Sequence, residues 1–109
     1  MTVPSFSGGP FDPPPRPTTA SDILDATKAT ITGPRAAEYG PPDENFGRIA
    51  AMWSVILGQE VTAEQVALCM VQVKITRLIQ TANHPDSWLD IAGYAALGGQ
   101  IAATPGRYV

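Results

Sequence analysis

Two cations lie inside the most apolar helical stretch of this chain, and that placement restricts how it can fold. At about 100° per residue, residues 66–79 put Ala67, Leu68, Val71, Ile75, Leu78 and Ile79 on one stripe. Val66, Met70 and Val73 form a second stripe beside it. Lys74 and Arg77 project between the two, and Gln65, Gln72, Thr76 and Gln80 take the remaining polar face. A charge on a face that packs into protein is costly unless something negative meets it. The candidates are a protein carboxylate, above all Asp86 or Asp90, or an anionic ligand such as a phosphate. Which of them arrives decides what the protein does.

The totals narrow the field. With 109 residues, one domain is the limit. A net charge of −3 without any basic run disfavours general nucleic-acid binding through the phosphate backbone. The single cysteine, Cys69, cannot form an internal disulfide and reads as a small buried hydrophobe in a reducing compartment. The N-terminus lacks the basic start and apolar run of a signal peptide, and no apolar stretch is long enough to span a bilayer. These features predict a cytoplasmic protein with no membrane partner.

Residues 1–20 hold six prolines, and Phe6 and Phe11 are their only large apolar groups. Such a segment buries too little surface to offset its ordering entropy, so an extended or disordered arm is expected. Its Pro-Pro-Pro-Arg-Pro run could dock on a groove, but a solvated tail is the simpler reading.

Residues 21–103 are expected to form an all-α, four-helix-bundle-like domain, followed by a tail over 104–109. Ser21 suits an N-cap for a first helix from 22 to about 32, with Ile23, Leu24 and Ile31 inward and Gly33-Pro34 as its stop. A short irregular stretch over 35–42 leads to a second helix. Pro42 fits its first turn, Asp43 and Glu44 favour its positive end, and Gly58 closes it. Phe46, Ile49, Ala50, Trp53, Ile56 and Leu57 make its apolar stripe. Thr62 with Gln65 is a capping box opening the third helix. Pro85-Asp86-Ser87, with Asp86 as cap, opens the fourth, which runs through Trp88, Ile91 and Ala95. Trp53 and Trp88 are expected to fill the core. Gly98-Gly99 weakens the last helix unless close packing needs the missing side chains. Four helices over so few residues make a thin core, which points to association into a homo-oligomer.

Several residues could carry chemistry. Asp86 and Asp90 stand four apart, so their carboxylates share a helix face. They could hold Mg²⁺ through one or two oxygens and water, with Glu44, Glu60 or Glu64 as a third donor. Alternatively, Asp90 neutralises Lys74 or Arg77 across a helix interface. His84, the only histidine, could touch a phosphate or form part of a helix-entry turn. Arg35 can grip a phosphate bidentately and Tyr39 can stack on a base, or Arg35 can clamp a carboxylate to fix its loop. Tyr94 continues the line of Asp86 and Asp90.

Three blocks carry a resemblance. They are residues 35–53 (Arg35-Ala-Ala-Glu-Tyr39-Gly40-Pro-Pro-Asp-Glu44-Asn45-Phe46, on to Trp53), residues 73–78 (Val73-Lys74-Ile-Thr-Arg77-Leu78) and residues 84–94 (His84-Pro-Asp86-Ser-Trp88-Leu-Asp90-Ile-Ala-Gly93-Tyr94). Together they resemble a family of small, helical, phage- and prophage-encoded proteins of unassigned function, over roughly residues 21–103. Some members are labelled sugar-phosphate kinases, but this chain has no phosphate-cradling Gly-rich loop. More distantly, the chain is similar to a nucleotide-modification-associated phage family and to the all-α nucleotide pyrophosphohydrolases of the MazG and dimeric dUTPase type. Those enzymes bind Mg²⁺ with Glu-x-x-Glu and Glu-x-x-Asp pairs, whereas this chain offers Asp86-x-x-x-Asp90 and an isolated Glu44.

The leading expectation is a protein that binds a nucleotide or other phosphate-bearing ligand. Lys74, Arg77 and Arg35 would meet the phosphate, and His84, Tyr39 and Tyr94 would border the rest. Such a protein would handle the nucleotide pool or sequester a host signalling nucleotide in the host cytoplasm. The alternatives are an interaction module whose charges pair internally, and a Mg²⁺-dependent pyrophosphohydrolase using Asp86, Asp90 and Glu44. No cofactor other than Mg²⁺ is suggested.

Overall fold

Short-range chemistry sets the helix boundaries. The computed structural model describes residues 16–104, and among them there are five helices and no strand. They are α1 (Ala20–Thr32), α2 (Pro34–Tyr39), α3 (Pro42–Leu57), α4 (Ala63–Gln80) and α5 (Pro85–Ala102). The arm expected over 1–20 lies outside the described residues as far as residue 15, as does the tail beyond 104.

The expected stops and starts hold in the middle of the chain. Gly58 ends α3 with φ +68°, a conformation that favours glycine, and its N–H donates to the Ser54 carbonyl at 3.0 Å. Thr62 and Gln65 form the capping box, with Thr62 N–H to Gln65 Oε1 at 2.9 Å and Gln65 N–H to Thr62 Oγ1 at 3.2 Å. Ser54 Oγ accepts from Val61 N–H at 2.8 Å and so ties the turn between them back onto α3.

Three starts differ from expectation. Thr19, not Ser21, caps α1, because its extended backbone lets Oγ1 accept from Asp22 N–H at 3.0 Å. The stretch after Gly33 is helical rather than irregular, since Pro34 pre-sets φ at the first helical position and Ala36, Ala37 and Glu38 are good helix formers. His84, not Asp86, caps α5. Its Nδ1 accepts from Ser87 N–H at 3.3 Å and lies 3.0 Å from the fully buried Ser87 hydroxyl.

Helices α4 and α5 form the central pair. Lys74 meets Asp90 near the turn that joins them, and Ala67 faces Gly98 farther away, so partners retreat from the turn in step. That is an antiparallel hairpin of two helices. Helix α1 packs on α5 where Gly93 faces Thr27 and Ile31, α2 packs on α1, and α3 packs chiefly on α4. The core joins Phe46 and Ala50 of α3, Ala63, Val66 and Ala67 of α4, and Ile101 of α5. Ile49, Trp53, Val61, Tyr94 and Leu97 pack around it.

Much of the expected core instead faces out. Leu24, Ile56, Leu57, Leu68 and Ile79 are exposed, because the side of each helix that meets its neighbours is narrower than its apolar stripe. Cys69 is exposed as well. Trp88 is half exposed and its Nε1 donates to the Ala82 carbonyl at 2.9 Å, so it pins the α4–α5 turn rather than filling the core. No helix among the described residues is long and apolar enough to cross a membrane.

The adjacent glycines of α5 separate packing from propensity. A Cβ on Gly98 would lie 3.1 Å from the Ala67 Cβ, whereas one on Gly99 would meet nothing within 4 Å. Thermal unfolding is expected to show Gly99→Ala stabilising by up to about 1 kcal/mol. Gly98→Val should destabilise by about 1–3 kcal/mol, because it forces the hairpin apart.

Candidate functional site

Asp90, Gly93, Tyr94 and Leu97 recur along one face of α5 at helical spacing, and that face lines a cleft of about 420 Å³. Thr30 and Ile31 of α1 form part of the opposite wall, with Tyr39 of α2 and Asn45, Phe46 and Ile49 of α3. Met70 reaches it from α4. The aromatic side is built by two local features. Gly40, with φ +76°, turns the chain sharply after α2 and leaves Tyr39 at the rim, 60% exposed. Phe46 and Tyr94 pack ring to ring with centroids 6.2 Å apart and planes tilted by 36°.

The polar side centres on one ion pair. Lys74 Nζ lies 3.0 Å from Asp90 Oδ2, with the lysine side chain 12% exposed and the aspartate 33%. The burial expected for Lys74 is therefore present, and a protein carboxylate supplies the counter-charge. Asp90 also lines the cleft.

The expectation that Arg77 shares this buried seam is corrected. Arg77 is exposed and has no carboxylate partner among the described residues. It stands in the last turn of α4, where the helix end favours a cation. Its neighbours on α5 start only after the joining turn, so little packs over it.

The remaining candidates scatter. His84 is engaged as the cap of α5, and Asp86 is exposed in the first turn of that helix. Glu44 is exposed in the first turn of α3. Among the described residues no three His, Cys, Asp or Glu side chains gather closely enough to hold a metal ion, so Asp86, Asp90 and Glu44 are not brought together. The Arg35 side chain lies outside the described residues, although its backbone belongs to α2. Tyr39, Tyr94 and Asp90 are thus the predicted residues that meet at the cleft, with Lys74 behind Asp90. Asn45, Phe46 and Leu97 were not singled out as site residues. The spacing of residues 90, 93, 94 and 97 was a signal that could have marked the α5 face.

Loss of either ion-pair partner should differ in consequence. Asp90→Ala strands a largely buried ammonium and is expected to cost about 1–3 kcal/mol in chemical denaturation. Lys74→Met leaves a carboxylate that water reaches, and is expected to change stability by less than about 1 kcal/mol.

Comparison with known proteins places this architecture. Residues 22–102, which run from the first turn of α1 to the end of α5, match the family described as Domain of unknown function (DUF6378). The chain is similar to the Gene 55 protein of Mycobacterium phage L5, with 42% identity over 76 residues, covering 69% of this chain and 49% of the relative. It is also similar to the Gene 55 protein of Mycobacterium phage D29, with 38% identity over 86 residues, covering 79% of this chain and 57% of the relative. The chain thus spans about half the length of these curated relatives. No solved structure matches it. With a family model that matches most of the chain and with phage relatives at 42% and 38% identity, the chain belongs to the DUF6378 family.

Proposed function

We propose that this chain is a phage-type binding protein that takes a nucleoside or nucleotide, ring first, into the cleft between α1, α3 and α5. The observation that carries this reading is the cleft itself. Its volume of about 420 Å³ falls in the range of small-molecule sites, and aromatic rings stand beside a single carboxylate in its wall. Tyr39, Phe46 and Tyr94 suit a flat heterocycle, while the Asp90 carboxylate and the Asn45 amide suit the hydrogen-bonding edge of a base. Lys74 neutralises Asp90, so the site does not repel an anionic ligand by a bare carboxylate.

Recognition of the ring therefore leads, and phosphate contacts follow at the mouth. Drawing Lys74 onto a phosphate would cost its 3.0 Å bond to Asp90. A second reading, an interaction module with internally paired charges, is favoured by the Lys74–Asp90 bond alone. Hydrolysis has less behind it, because Asp86 and Glu44 are not gathered with Asp90 among the described residues.

Isothermal titration against nucleosides, nucleoside mono- and triphosphates and cyclic dinucleotides tests this proposal. Saturable binding of one of them is expected. Tyr39→Ala should weaken it roughly 5- to 150-fold, the range for loss of one base–aromatic stack, with an unchanged helical spectrum because Tyr39 is already exposed. No heat with any member of the panel would overturn the reading.

A further inference from the structure

Helix α4 is apolar on two faces, and the fold uses one. Its inner face sends Ala63, Val66 and Ala67 into the core and Lys74 to Asp90. On its outer face Leu68, Ile75 and Ile79 are 64%, 38% and 80% exposed, with Val71 and Leu78 half-buried beside them. Leu68, Val71, Ile75 and Leu78 follow one another at intervals of three, four and three residues. That alternation is the seam of a coiled coil, whose apolar positions are meant to interlock with another helix. Helix α4 packs against α3 and α5, and both leave this seam open.

We infer that the outer face of α4 docks on α4 of a second copy of this chain, across a two-fold axis. Charge is the first argument. Between Glu64 and Gln80 the positions that flank the seam are Gln65, Ala67, Gln72, Lys74 and Ile79, and the one charge among them, Lys74, is turned inward onto Asp90. Two copies of a chain with net charge −3 can therefore bring this face together without like charges opposing each other. Interface centres are depleted of charge in the same way.

Register is the second argument. When the two helices run antiparallel, Leu68 lies opposite Leu78 and Val71 opposite Ile75. Every seam residue then meets an apolar residue in the complementary heptad position, and the helix dipoles oppose. A two-fold contact requires such self-matching.

Area is the third. A stable interface buries about 800 Å² on each partner, more than a seam of four residues supplies. Met52, Val55, Ile56 and Leu57 are 60%, 83%, 79% and 62% exposed at the end of α3, directly before the turn into α4. The Ser54–Val61 hydrogen bond holds that turn and keeps the end of α3 beside the start of α4, so the inferred contact has further exposed apolar surface next to it.

Size-exclusion chromatography with light scattering on the full chain tests the inference. The expected mass is twice the 11.5 kDa of one chain, and Leu68→Glu combined with Ile79→Glu should halve it while circular dichroism stays helical. Both side chains are already exposed in the single chain, so neither change empties the core. If the double variant nevertheless unfolds, a nitroxide on Cys69, the only cysteine and an exposed one, reports on the otherwise unaltered chain. A defined intermolecular distance is expected from it in pulsed electron paramagnetic resonance. A single-chain mass across the concentration series, a double variant that remains dimeric, or a label without any intermolecular distance would overturn the inference.

Discussion

The antiparallel seating of α4 on α5 is the contact from which the other features follow. It joins two unlike interactions at two depths. Close to the connecting turn, Lys74 and Asp90 are bonded at 3.0 Å. Farther along, glycine at position 98 lets the Ala67 side chain approach the α5 backbone. The first fixes register through a directional bond, and the second fixes spacing through the absence of a side chain. With both in place α5 presents its opposite side to α1, and Phe46 of α3 reaches Tyr94.

The same ion pair shapes what the cleft can accept. A lysine this deeply set would be a strong anion site if it had no partner, but Asp90 occupies it. In the proposed reading, the shape and aromatic character of the wall then become the dominant recognition terms. In that reading, the arrangement separates a site for a ring from one that grips phosphate by charge alone. It also explains why Arg77, three residues from Lys74, has so different a role. One turn toward the end of α4 is enough to leave the packed interface and enter solvent.

Legibility in the sequence varied with the range of the interaction. The end of α3 at Gly58 and the capping box of α4 were readable because each rests on a conformational preference or a bond within three residues. Asp90 was readable as one of two possible carboxylate partners for the buried cation. The cap at His84 was missed because imidazole is an uncommon capping acceptor beside the more usual aspartate two residues later. Helix α2 was hidden by the glycine and prolines that bracket it. The exposed Trp88 was misplaced because an indole N–H that finds a backbone carbonyl can hold a turn at the surface as well as a core.

Helix content, the positions of most helix ends and the need for a counter-charge at Lys74 are properties of the chain itself, since they depend on neighbours a few residues away. Which of two apolar stripes on α4 turns inward depends on what α3 and α5 present to it. Periodicity cannot rank two stripes of similar hydropathy. Tertiary packing turned inward the arc where the two stripes meet, with Ala63, Val66 and Ala67, because helices approach closely at small residues, and left the bulkier Leu68 and Ile79 outside.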